Sequence, residues 1–116
     1  MQHIHTAPVE IFSAVGNGPY VSEPYEAGWA LEATAMLYIH STLGASPCFE
    51  LRAQISADGQ RWIDFGCAFE PMTGPGGYFL NLKQYGNWLR LEGEISGGPE
   101  DGAPAFVFDL YWVLKG

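Results

Sequence analysis

The sequence predicts an all-β protein: a two-sheet antiparallel β-sandwich, jelly-roll-like, of about seven or eight strands, in one domain over residues 1–116. Three observations predict it. Apolar and polar residues alternate with a period of two in run after run. The 15 Gly and 8 Pro cluster between those runs, as strand punctuation does. No stretch sustains a helical period over a useful length.

Val9 to Val15 is a candidate first strand. Tyr25 to Met36 is rich in Ala and Glu, but strict alternation from Trp29 to His40 makes it a strand. Its odd positions, Leu31, Ala33, Ala35, Leu37 and Ile39, face the core. Its even positions, Glu32, Thr34, Met36, Tyr38 and His40, face out. Phe49, Leu51, Ala53 and Ile55 then point inward, with Glu50, Arg52, Gln54 and Ser56 outward. Asp58-Gly59 is a strong short-range hairpin signal. The return strand carries Trp62, Ile63, Asp64, Phe65 and Cys67, and Ile63, Phe65, Cys67 and Phe69 share the core face.

Met72 to Gly77 reads as a loop, because its glycines and proline break ladders and helices alike. Tyr78, Leu80 and Leu82 form a short strand, followed by a turn at Gln84 to Gly86. Leu89, Leu91 and Ile95 then point in, while Trp88, Arg90, Glu92 and Glu94 point out. Gly97 to Pro104 is a loop. The last strand has Phe106, Phe108, Leu110, Trp112 and Leu114 on one side and Val107, Asp109, Tyr111 and Val113 on the other. Both sides are largely apolar, so this strand is central in a sheet or covered by another subunit.

Charged residues make up 16% of the chain, against an average of about 25%. Apolar residues make up 47%, which excludes disorder. Thirteen acids against five bases give a net charge of −8. Five scattered bases cannot build a phosphate-binding stripe, so nucleic acid and anionic membranes are not expected partners. Ala33 to Phe49 is the longest nearly uncharged run, and His40, Ser41, Gly44 and Pro47 interrupt it. A membrane helix needs about 20 apolar residues. Met1 to Thr6 lacks a basic segment and no long apolar stretch follows, so synthesis and folding in a cytoplasm are expected. Cys48 and Cys67 have no metal-ligand spacing and are expected as two reduced thiols; a bridge between them stays open as an alternative.

Candidate chemistry is sparse. His3 and His5 alternate and, with His40, form a conceivable metal set, but no carboxylate lies at useful spacing. Solvated histidines are the expectation, with no metal and no cofactor. Glu92 and Glu94 share a face, as a glycosidase pair would. The simpler reading is a solvated face on which Arg52 and Arg90 pair with these acids. Nucleophile, phosphate-loop and EF-hand motifs are absent, and the chain is read as no enzyme.

The aromatics carry more information. Most of the four Trp, six Tyr and seven Phe belong to the core. Tyr38 and Trp88 have outward parity, and Trp62 opposes Ile63 and Phe65. With Met36 and Tyr111 they form the candidate binding surface. It serves either as a subunit interface or as a sugar-stacking platform. Low charge favours the interface, because a small monomer needs a more charged surface to stay dispersed.

Two segments add a resemblance. Leu51 to Phe65, LRAQISADGQRWIDF, is an alternating strand, a Ser-x-Asp-Gly hairpin and a Trp. Trp88 to Leu110 joins WLRLEGEISGG to PAFVFDL, a strand, a Gly turn and an aromatic-alternating strand. Together they resemble the small β-sandwich head, decoration and tail proteins of tailed phages and prophages. The resemblance implies a non-enzymatic structural protein, with copies of itself and capsid or tail proteins as partners, carried in a virion-like particle. It transfers no catalytic residues. The Gly98 to Pro104 loop is longer and more acidic than that pattern. The hairpin also occurs in lectin-like sandwiches, which leaves a carbohydrate-binding module with a glycan ligand as the alternative.

Overall fold

The computed structural model describes residues 3–116. Its nine strands are β1 (Ile4–Val15), β2 (Gly18–Val21), β3 (Tyr25–Glu26), β4 (Glu32–Thr42), β5 (Cys48–Ser56), β6 (Ile63–Ala68), β7 (Gly76–Lys83), β8 (Trp88–Ser96) and β9 (Phe106–Lys115). No helix appears among the described residues. The first sheet has the order β1-β9-β4-β7 and the second β2-β8-β5-β6, with β3 also on β8. All pairs are antiparallel. With β3 set aside, the pairs β1–β9, β2–β8, β4–β7 and β5–β6 are nested. The chain is thus one long antiparallel ribbon folded back on itself, which is jelly-roll connectivity.

The core lies between the sheets, where the alternation placed it. Ala33, Ala35, Leu37 and Ile39 of β4 are buried, as are Leu89, Leu91 and Ile95 of β8 and every even residue of β9 from Phe106 to Leu114. Trp112 lies opposite Ala7 on β1 and Ala35 on β4. Two alanines beside one indole keep the layer at close-packed density. Tyr20, Phe49, Phe106 and Phe108 form an aromatic cluster with ring centroids 5.3–5.7 Å apart. Burial raises the Tyr20 phenol above its ordinary value, with Glu10 and Glu23 adding repulsion.

Several expectations need correction. The first strand begins at Ile4, not Val9. Leu31 is 74% exposed, because β4 starts only at Glu32 and Trp29–Leu31 belong to the preceding loop. Tyr85 holds that loop by donating its hydroxyl to the Ala27 and Ala30 carbonyls. Ser56 is buried rather than outward, since its hydroxyl serves the 58–59 turn. Ile63 is exposed and Cys67 only half-buried. Their strand, β6, is a sheet edge, and a register shift between Arg52 and Gln54 breaks the parity carried over from β5. Met72 is fully buried and bridges Phe49, while Gly76 and Gly77 already belong to β7. An edge strand tolerates such residues. Cys48 and Cys67 are both free.

β2 was not expected as a strand, and Tyr25–Glu26, read as the start of the strand that runs on to Met36, forms a separate edge piece, β3, on the other sheet. This edge runs along β8 in two pieces, broken at Ser22, Glu23 and Pro24. Ser22 bridges the break: its N–H donates to Leu91 O, and its Oγ accepts the Leu91 N–H. A side chain replaces the missing ladder bond, so no buried amide is orphaned there.

Candidate functional site

The outer face of the first sheet is built in rows across four strands. The register sets Ile4, Lys115, Glu32 and Lys83 in one row, and Thr6, Val113, Thr34 and Asn81 in the next. Then come Pro8, Tyr111, Met36 and Phe79, followed by Asp109, Tyr38 and Gly77. Apart from Asp109, the formal charges of these rows lie at one end, where Lys83 Nζ is 3.3 Å from Glu32 Oε1. The Pro8 row is wholly without charge. Tyr38 is 41% exposed and meets Tyr111 edge to face, with centroids 6.0 Å apart. Gly77 sets no side chain opposite Tyr38. The result is an open groove of about 720 Å³ lined by Thr6, Met36, Tyr38, His40, Asp109 and Tyr111 among others. That volume is within the range of small-molecule and anchor-residue sites.

β1 shapes one wall of this groove. Register shifts between Pro8 and Glu10 and between Glu10 and Ser13 leave Ile11 and Phe12 outside the ladder. Phe12 has φ of 47°, a left-handed conformation that bulky side chains avoid. Its N–H donates to Asp109 Oδ1 at 2.7 Å. Its ring stacks on His40, 4.5 Å between centroids at 14°. His40 Nε2 lies 3.0 Å from Asp109 Oδ2. The Phe12 amide, and then His40, hold the Asp109 carboxyl below its usual value against the opposing effect of burial. Phe12, His40 and Asp109 thus form one interlocked unit at the groove rim. Bulges near edges commonly re-aim a side chain in this way.

Three of the five expected binding residues, Met36, Tyr38 and Tyr111, meet on this face. Trp62 and Trp88 belong elsewhere. Trp62 lies over the Arg90 guanidinium, 4.4 Å from its centroid, and Trp88 packs on the turn at Gly59. Both are half-buried, each with a ring face engaged by the protein itself. Arg90 donates to Gln54 Oε1 rather than to an acid, which corrects the expected pairing. Arg52 does pair with Glu92. Glu94 lies directly opposite Glu50 across the β5–β8 ladder and is solvated.

The three histidines stay apart. His3 packs edge-on against Trp29, and His5 lies opposite Leu114, whereas His40 lies near Phe108 at the other end of β9. Among the described residues, no group of three His, Cys, Asp or Glu is placed to hold a metal. Sequence reasoning missed Phe12, since nothing in Val9 to Val15 marks the double register shift. Asp109, the lone acid within the apolar run from Phe106 to Leu114, was a readable signal for the unit it anchors.

No family model matches the chain, and no curated protein matches it by sequence. Solved structures do. A chain of turnip yellow mosaic virus is 11% identical, with a TM-score of 0.50 over 99% of this chain and 78% of that one. PirA is 12% identical, with a TM-score of 0.43 over 99% and 93%. The CBM22-1–GH10 modules of Clostridium thermocellum xylanase 10B, complexed with xylohexaose, give 10% identity and a TM-score of 0.47. This chain spans 96% of its own length in that match but about a quarter (24%) of the other chain. At 11% identity and a TM-score of 0.50, the likeness to the virus chain is one of fold alone.

Proposed function

We propose that the protein is a non-enzymatic structural component that assembles through the outer face of its first sheet. The observation that carries this reading is the uncharged row of Pro8, Tyr111, Met36 and Phe79, continued by Tyr38 and Phe12. Phe79 and Phe12 are 64% and 68% exposed. Other exposed apolar side chains, Val21, Trp29, Leu31, Leu43 and Ile63, lie off this face. Here Phe12, Tyr38 and Phe79 adjoin Met36 and Tyr111, and a contiguous apolar patch marks an interaction surface. The enrichment of aromatics and Met there matches the core of a protein interface.

The phage-like pattern in Leu51 to Phe65 and Trp88 to Leu110 supports a particle component, made in the cytoplasm and carried in a head or tail. Its partners are further copies of the chain and shell or tail proteins. Five bases, of which Arg52, Arg61 and Lys83 already face acids, offer nucleic acid and membrane surfaces little. The test is light scattering after gel filtration from low to high micromolar protein, with Met36→Glu as the control. The wild type associates and the variant does not. A wild type that stays monomeric throughout overturns the reading.

One observation favours a second reading, a glycan-binding module. Tyr38 and Tyr111 flank a carboxylate and an imidazole, so stacking surface and hydrogen-bonding groups share the groove. Titration calorimetry with neutral oligosaccharides tests it. Binding that Tyr38→Ala removes supports this reading; no heat across a broad glycan panel ends it.

A further inference from the structure

We infer that the partner on this face is a second copy of the chain, placed about a two-fold axis, with Phe12 of each copy entering the groove of the other. The inference rests on the assembly reading above and names its partner, its symmetry and its anchor. Charge is the first argument. The outward positions of the first sheet hold four formal charges, Glu32, Asp109, Lys83 and Lys115, two of each sign. Glu10 is not among them: it lies opposite inward-facing Leu110 and acts on Tyr20. The other eleven acids and three arginines lie off this face, so the whole net charge of −8 does too. Two copies meeting through other surfaces bring acid against acid. Through this face they bring neutral, apolar surface together, and the repelling charge stays apart.

Shape is the second argument. A two-fold interface is self-complementary, so one patch must carry both a projection and a recess. Here Phe12 is the candidate projection: it is 68% exposed and lies on His40 and Asp109, both of which line the groove that is the recess. The projection is pre-set, because Asp109 holds its backbone and His40 its ring. Aromatic anchors that are held in place before binding and seat in a partner's pocket are common interface hot spots. Size is the third. Four strands ~4.8 Å apart and about eight residues long at ~3.3 Å each present roughly 500 Å². Two such faces bury roughly 1,000 Å², the lower limit for a specific dimer.

Sedimentation velocity on the wild type, Met36→Glu, Phe12→Gly and Phe12→Trp tests this. Glycine suits the left-handed backbone at position 12, so Phe12→Gly removes the ring without endangering the fold. The wild type is expected as a dimer and nothing larger. Phe12→Gly should dimerise at least tenfold more weakly with an unchanged near-UV spectrum, and Phe12→Trp should restore the dimer. Association lost in Met36→Glu but intact in Phe12→Gly overturns the anchor and leaves assembly through the face standing. Association intact in both variants removes the face itself. Open, growing oligomers of the wild type overturn the two-fold axis.

Discussion

At the scale of single residues, the best-defined local unit is the turn after β5. Asp58 accepts backbone N–H bonds from Arg61 and Gln60, the Arg61 Nε–H and the Ser56 hydroxyl. These donors, the Arg61 amide first, hold its carboxyl well below the usual carboxylate range. The ionised form is therefore favoured in the folded chain. Its contribution is complete above the unfolded carboxylate value of about 3.9 and is lost as pH falls below it. Asp109, held low by Phe12 and His40, acts in the same direction. The melting temperature should thus fall on acidification below about pH 4. Asp58→Asn should show a shallower fall than the wild type over that window, because one of the two linked groups is gone. Parallel pH–melting curves for the two proteins would assign the turn no such role.

At the scale of elements, β8 is the centre of the second sheet, flanked by β2, β3 and β5. Gly93 lies between Tyr20 and Leu51 in the register. A Cβ there would run into the Glu50 carbonyl, which is backbone and cannot swing aside. Gly93→Ala should therefore cost about 3 kcal/mol, near the upper end for overpacking. Urea unfolding measures it, and a cost below half of that would mean the strands part easily. The strands legible in the sequence were those with one face on the opposite sheet. In β4, β5, β8 and β9, burial enforces the period of two, so parity placed Met36, Tyr38 and Tyr111 on their shared face. Legibility failed where backbone geometry, rather than side-chain burial, decides. The β2–β3 edge is held by Ser22 on Leu91, β6 lost its parity to a bulge, and Phe12 reached the groove through two register shifts. None of these leaves a trace in hydrophobic pattern.

At the scale of the whole molecule, fold and charge are arranged together. The jelly roll sets two outer faces back to back. One carries Glu50, Glu92, Glu94, Asp64, Arg52 and Arg90; the other carries its few charges at one end and in the His40–Asp109 pair. A molecule of net charge −8 repels its copies at long range, yet one face contributes nothing to that repulsion. Association through this face is then opposed only by charge lying several ångströms or more behind it. Salt screens such charge, with a Debye length of about 30 Å at 0.01 M and about 8 Å at 0.15 M. Raising ionic strength between those limits should tighten the dimer several-fold, since the apolar contact is not weakened by salt. An interface built on ion pairs would respond in the opposite sense, loosening as salt rises. Sedimentation equilibrium at both ionic strengths decides between them. Weaker association at high salt would move the interface to the charged outer face of the second sheet.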